Sequence, residues 1–148
     1  MTKVSLVIPT LNAEGDIEGL LNRIYRQTRR PDEVIVVDSS SSDRTVDIVK
    51  TFEWVRLISI ERSEFNHGLT RDMALRESIG DIVCFMTQDA VPADEFYIEN
   101  LIAPFLTISA WWFHPGASFP RMTLVGSNSS SVSSTTVLNL TFALRPTS

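Results

Sequence analysis

Apolar residues along the first hundred positions fall into two alternating kinds of run. Val4-Ser5-Leu6-Val7-Ile8, Val34-Ile35-Val36-Val37, Val55 to Ile60 and Ile82-Val83-Cys84-Phe85-Met86 are short and almost continuously apolar. Runs of that length and composition predict strands buried on both faces. Between them the apolar positions spread out to helical spacing. Ala13 to Gln27 puts Ile17, Leu20, Leu21 and Ile24 on one face. Asp43 to Phe52 predicts a second helix, with Ser42 or Asp43 as its N-cap. Thr70 to Ser78 predicts a third, closed by Gly80 as a left-handed C-terminal cap. Ala93 to Phe105 predicts a fourth, with Phe96, Ile98, Leu101 and Ile102 apolar.

Buried strands separated by amphipathic helices predict an α/β fold, a mostly parallel sheet with helices on both faces. Ligands of such sheets bind beyond the carboxyl ends of the strands. Three of those ends carry polar, chemistry-bearing residues: Pro9-Thr10-Leu11-Asn12, Asp38-Ser39-Ser40 and Thr87-Gln88-Asp89. The pattern points to a polar site along one edge of the sheet.

Composition divides the chain in two. All eighteen Asp and Glu residues lie between Glu14 and Glu99. From Thr107 to Ser148 there is no Asp, Glu or Lys, and Ser and Thr crowd the stretch from Ser127 to Thr136. A change so abrupt marks a linker, a low-complexity tail or a segment of different origin. The expectation is a domain over residues 1–106 and an atypical Ser/Thr-rich tail over 107–148. The tail reads either as out-of-frame or unrelated sequence on a truncated product, or as a β segment containing Thr136-Val137-Leu138-Asn139-Leu140. Ile108 to Phe113 is apolar and aromatic. It reads as cover for the core, with a peripheral membrane contact as the alternative.

A formal charge of −5 with no basic stripe argues against nucleic acid as a partner. The single cysteine, Cys84, excludes an intramolecular disulfide and a Cys-rich metal site, and inside an apolar run it reads as a small core residue. No run approaches the ~18 apolar residues of a membrane span, and the apolar start breaks at Pro9, too early for a secretory signal. The expected location is the cytoplasm, including the inner face of the membrane.

Each candidate site residue has two readings. Asp38, after four β-branched residues and before four serines, either accepts hydrogen bonds from a ligand or caps the turn that follows. Asp89 either binds a divalent cation, with water and phosphate oxygens filling the shell, or starts the next turn. Arg71 follows the loop Phe65-Asn66-His67-Gly68 into a helix, where it either meets phosphate or stays solvated. His67 reads as a solvated loop residue or a direct participant. The serine tract Ser39 to Ser42 lacks the glycines and lysine of a P-loop.

Taken in order and at this spacing, the motifs resemble the family 2 glycosyltransferases with the A-type nucleotide-sugar fold. Val4 to Asn12 resembles the family's first strand and loop, and Val36 to Asp43 its second strand and acidic turn. Asn66-His67-Gly68-Leu69-Thr70-Arg71-Asp72 is similar to the segment leading into the helix before the metal strand. Gly80 to Ala90 is similar to the strand that ends in the Asp-x-Asp signature, with Thr87 where the first Asp often stands. Phe65-Asn66-His67-Gly68 and Thr87-Gln88-Asp89-Ala90 further resemble bacterial rhamnosyltransferases, although Leu69 and Asp72 depart from that version.

The resemblance covers residues 3 to 106 and implies a truncated nucleotide-diphospho-sugar transferase-like domain. It implies nucleotide binding by Pro9, Thr10, Asn12, Asp38, Arg71 and Gln88, and a Mg²⁺ or Mn²⁺ ion at Asp89. The implied reaction moves a sugar, rhamnose in the subfamily reading, from a nucleoside-diphosphate sugar to a saccharide or lipid-linked acceptor. The implied transfer is inverting, with attack by an acceptor hydroxyl on the anomeric carbon. Family members continue through an acceptor region and an acidic base. The tail supplies no carboxylate, and His114 is its one group that titrates near neutral pH. No catalytic residue is identified on this basis, activity is expected to be impaired by truncation, and a non-catalytic fragment or pseudoenzyme is the competing reading. A receiver-type signalling domain would need clustered acids after the first strand, and Pro9 to Asn12 offers none.

Overall fold

A computed structural model of the chain describes residues 1–111, 122–125 and 141–142, with side chains described over residues 1–106. The elements alternate as β1 (Val4–Thr10), α1 (Ile17–Tyr25), β2 (Glu33–Asp38), α2 (Thr45–Lys50), β3 (Val55–Ser59), α3 (His67–Glu77), β4 (Ile82–Phe85), α4 (Tyr97–Trp111), β5 (Met122–Val125) and β6 (Thr141–Phe142). A single 3₁₀ turn, Arg62–Glu64, precedes α3. The sheet order is β3-β2-β1-β4-β5-β6, parallel except for β6 against β5. The expected parallel sheet with helices on both faces is present. The strand-like run 136–140 lies outside the described residues. So do His114 and the side chains of 108–113. Among the described residues no helix is long and apolar enough to cross a membrane.

Strand alternation sorts the apolar residues into two layers. On one face Val4, Leu6 and Ile8 of β1, with Val34, Val36, Ile82 and Cys84, meet Ile17, Leu21 and Ile24 of α1 and Ile98, Ile102 and Phe105 of α4. On the other, Val7, Ile35, Val37, Val83 and Phe85 meet Ala74 of α3. Cys84 is fully buried, and loss of hydration pushes its thiol up to about 12. Its place in the core is that of a small hydrophobe.

All four helices start away from the expected residue: α1 begins at Ile17 rather than Ala13, and the other three starts are set by specific hydrogen bonds. The helix expected from Ala93 begins at Tyr97. Gln27, from the end of α1, donates to the Asp94 carbonyl at 2.8 Å and accepts from the Ile98 N–H at 2.9 Å. Thr28 N–H binds the Glu95 carbonyl at 2.8 Å, so residues 94 and 95 are committed to α1 before the helix starts. The third helix starts at His67 rather than Thr70, because Asn66 Oδ1 accepts from the N–H groups of Gly68 and Leu69 at 2.9 and 3.2 Å. The second begins at Thr45 with Arg44, rather than Ser42 or Asp43, at its N-cap, and Asp43 Oδ1 accepts from the Thr45 N–H at 2.9 Å just before the helix.

Gly80 is not a left-handed cap. Helix α3 ends at Ser78 in an extended conformation, and Gly80 lies against β1. A Cβ there would come within 2.5 Å of the Ser5 nitrogen and 2.8 Å of Ser5 Oγ. Ser5 Oγ accepts from the Gly80 N–H at 2.9 Å and donates to Glu33 at 2.7 Å. Close backbone approach is therefore what glycine provides, and it delivers the chain into β4 in register with β1. Gly80→Ala is expected to destabilise by about 1–3 kcal/mol, the usual cost of forcing extra volume into a filled site. Urea denaturation at neutral pH checks it, and an unchanged midpoint would refute the close-approach account.

Candidate functional site

Parallel pairing brings the carboxyl ends of β1 to β4 to one edge, with Thr10 beside Asp38, and Asp38 beside Ser59. Between the loops that follow is a cavity of about 450 Å³. Pro9, Thr10 and Leu11 line it from β1, Ser39 from β2, Arg62 and Phe65 from the segment after β3, His67, Thr70 and Arg71 from α3, and Phe85 to Gln88 from β4.

Of the residues expected to hold nucleotide, Pro9, Thr10, Arg71 and Gln88 stand in this wall, whereas Asn12 and Asp38 do not. Asp38 is 1% exposed and serves the loops: it accepts from Thr10 Oγ1 at 3.3 Å and from the Ser41 N–H at 2.9 Å, and Ser41 Oγ also donates to it. Of its two sequence readings, this arrangement is the turn cap. Asn12 takes a left-handed backbone conformation, with φ of 49°, and its Oδ1 accepts from the Ser42 N–H at 2.9 Å. Ser40, also left-handed at φ 61°, donates to the Ile60 carbonyl at 2.9 Å. Non-glycine residues rarely adopt this region, and such strain concentrates where loop shape matters. Gln88 lies in the wall, but its amide is spent on backbone. Its Oε1 accepts from the Leu11 N–H at 2.8 Å and its Nε2 donates to the Leu11 carbonyl at 3.2 Å. That paired contact fastens the β1 loop to the β4 loop.

Asp89 is exposed, in a turn just past Gln88 and outside the wall. Among the described residues no three His, Cys, Asp or Glu side chains are grouped to hold a metal ion. Carboxylate oxygen is the kind of hard ligand that Mg²⁺ and Mn²⁺ take together with phosphate and water.

Arg62 escaped the sequence reading, and Ser39 was placed at a strand end without a role. Arg62 follows the carboxyl end of β3, a strand end that carries none of the motifs above. Ser39 Oγ is buried without a hydrogen-bond partner among the described residues, at 2% exposure. Leaving such a hydroxyl unsatisfied costs about 1–3 kcal/mol. The position was visible as part of a strand end, but the orphaned oxygen appears only in three dimensions. Arg71 has its guanidinium over the Phe85 ring, 5.7 Å from the centroid, and the Phe65 and His67 rings meet edge to face at 5.0 Å.

Residues 5–113 match the model of Glycosyl transferase family 2. The chain is 40% identical over 101 residues to the O-antigen chain rhamnosyltransferase RfbN of Salmonella typhimurium, covering 68% of this chain and 32% of the relative. It is 36% identical over 107 residues to the O-antigen chain rhamnosyltransferase WbaN of Salmonella anatum, covering 71% and 34%. The chain thus spans about a third of the length of these curated relatives. The fold matches glucosyl-3-phosphoglycerate synthase from Mycobacterium tuberculosis in complex with Mn²⁺, uridine-diphosphate and glucosyl-3-phosphoglycerate. The TM-score is 0.60 at 29% identity, covering 72% of this chain and 40% of that one.

The loop edge carries an acid-sensitive fastening. Slight loss of hydration would raise the Asp43 pKa, but hydrogen bonds from Thr45 Oγ1, the Thr45 N–H and the Glu14 N–H outweigh it and hold the carboxyl below its ordinary value. A carboxyl more acidic when folded contributes stability that is present above its unfolded pKa and lost as pH falls through the folded one. Stability is therefore expected to be level from neutral pH to about 4 with respect to this group and to fall below it. Asp43→Asn should flatten that acid limb in denaturation curves collected between pH 3 and pH 7. An unchanged limb would remove Asp43 from the account.

Proposed function

This chain belongs to glycosyl transferase family 2, and on that premise we propose that residues 1–106 bind a nucleoside-diphosphate sugar. The reaction proposed for the protein is transfer of that sugar, rhamnose in the reading its relatives favour, to a saccharide or lipid-linked acceptor of the cell envelope. The single observation that carries the reading is the cavity at the carboxyl edge of the sheet. It is large enough for a nucleotide, walled by the ends of β1, β2 and β4, and carries two arginines with no carboxylate among its described lining residues. The Ser/Thr-rich segment 107–148 is assigned no role in this proposal, and the protein works in the cytoplasm, including the inner face of the membrane.

In this reading Pro9, Thr10 and the buried Ser39 hydroxyl border the nucleoside, and the apolar surfaces of Phe65, Phe85 and Met86 exclude water from it. Asp38 and Asn12 act through the loops they fasten, and Gln88 fixes the separation of the β1 and β4 loops. Arg71 meets the diphosphate. Asp89 would hold the Mg²⁺ or Mn²⁺, which when bound neutralises charge on the departing diphosphate. The acceptor hydroxyl attacks the anomeric carbon with inversion as the bond from that carbon to the diphosphate oxygen breaks; the nucleoside diphosphate departs and the hydroxyl proton passes to solvent.

A second reading, a nucleotide-sugar-binding fragment without turnover, is favoured by one observation: no Asp or Glu lines the cavity among the described residues, so no carboxylate base faces it. Turnover of a nucleoside-diphosphate sugar by the purified chain separates the two.

Binding is tested by thermal unfolding with uridine diphosphate. Ligand at a hundredfold excess over Kd stabilises by about 2.7 kcal/mol, so a clear rise in Tm is expected. Adding Mn²⁺ should raise Tm further, and Asp89→Ala should lose that increment. No shift at millimolar ligand, with or without Mn²⁺, overturns the reading; an increment equal in Asp89→Ala removes that residue from the cation site.

A further inference from the structure

Charge is unevenly placed over this molecule. The chain is acidic, at −5, yet the described wall of the cavity holds Arg62 and Arg71 and no acid. Four other arginines sit on carboxylates: Arg29 on Asp32, Arg44 on Glu14, Arg56 on Glu33 and Glu77, and Arg76 on Asp72. Neither cavity arginine has such a partner among the described residues.

For Arg62 the reason is built into its turn. Glu61 and Glu64 lie close to it in sequence, but each carboxylate is turned to the backbone: the Glu61 side chain accepts from the Glu64 N–H, and Glu64 Oε2 accepts from the Glu61 N–H at 3.2 Å. This reciprocal capping leaves the guanidinium between them without a counter-ion. The turn is also placed by the site's own loops. Ile60, two residues earlier, donates to the Asp38 carbonyl at 2.9 Å and accepts from Ser40 Oγ at 2.9 Å. Arg62 is thereby held on the β3 side of the cavity and Arg71 on the α3 side, with the unpartnered Ser39 hydroxyl also in the wall. Two planar guanidinium groups suit two phosphoryl groups, each of which a fork of N–H donors can grip.

We propose that Arg62 and Arg71 together hold the diphosphate as a free anion, so that the nucleotide docks without a divalent cation. The inference rests on the nucleotide-binding reading above and adds to it a ligand-contacting residue and an order of events. A cation at Asp89, outside the wall, then joins a complex already formed.

The test is titration calorimetry of the full chain with uridine diphosphate in EDTA and in Mn²⁺. Binding is expected in EDTA. Arg62→Ala should weaken it about tenfold or more, a change of about 1.4 kcal/mol, and Arg62→Lys should weaken it less. Arg76→Ala, which removes the same charge on the outer surface of α3, should leave it unchanged. Wild-type affinity in EDTA should fall with added salt more steeply than that of Arg62→Ala. Uncharged uridine should bind without regard to Arg62. Binding of uridine diphosphate only when Mn²⁺ is present overturns the proposal while leaving the nucleotide-binding reading intact. Equal affinities of the wild type and Arg62→Ala in EDTA do the same. Absence of binding in both media overturns both. Should Arg62→Ala not fold, Arg62→Lys and the wild-type salt dependence decide the matter.

Discussion

The parallel pairing of β1 with both β2 and β4 is the constraint on which the rest depends. A central strand paired in parallel on both sides sends every carboxyl end to the same edge, while the helices return the chain across the faces. Residues distant in sequence, such as Thr10, Ser39 and Gln88, then share a wall without any of them specifying the fold. The register is protected from below. Gly80 can press against Ser5 only because it lacks a Cβ, and Glu33 collects hydrogen bonds from Ser5 Oγ and the Ile79 N–H, tying three chain segments together.

At the carboxyl edge a division of labour follows from desolvation. A buried polar group must be satisfied, and most here are satisfied internally. Asp38 is consumed by Thr10 and Ser41, Asn12 by Ser42, and the Gln88 amide by Leu11. Those side chains shape the cavity. Among the described wall residues, what remains for a ligand includes Ser39 Oγ and the two arginines. A polar residue at a strand end thus has two distinct ways of serving a site, and only its hydrogen-bond partners show which one operates.

This explains how much could be read from the sequence. The strands were legible because Val4 to Ile8, Val34 to Val37 and Ile82 to Met86 are continuous apolar runs too short for helices, and such runs have one stable use in an α/β chain. The edge was legible because parallel topology fixes where strand ends go. That logic reached Pro9, Thr10 and Gln88, and the loop-to-helix motif reached Arg71. It did not reach Arg62, since an arginine flanked by two glutamates looks neutralised until the turn shows both carboxylates facing backbone. Nor could it set the start of α4, which depends on Gln27, some seventy positions away. Local patterns encode elements; hydrogen bonds, local at Asn66 and Asp43 and non-local at Gln27, set where they begin.

The charge balance brings the two scales together. A molecule with a formal charge of −5 repels an anionic ligand at distance, and that repulsion is screened over about 10 Å at ordinary ionic strength. Within the cavity the distances are shorter than the screening length, so local charge governs. Placing even one carboxylate in that wall would cancel half of its fixed guanidinium charge. The structure keeps the acids away by occupying them: Glu61 and Glu64 with their own turn, Asp38 with Ser41, Asp43 with Thr45. Each of these carboxylates stabilises backbone geometry at the edge, and in doing so leaves the guanidinium groups to act on whatever enters.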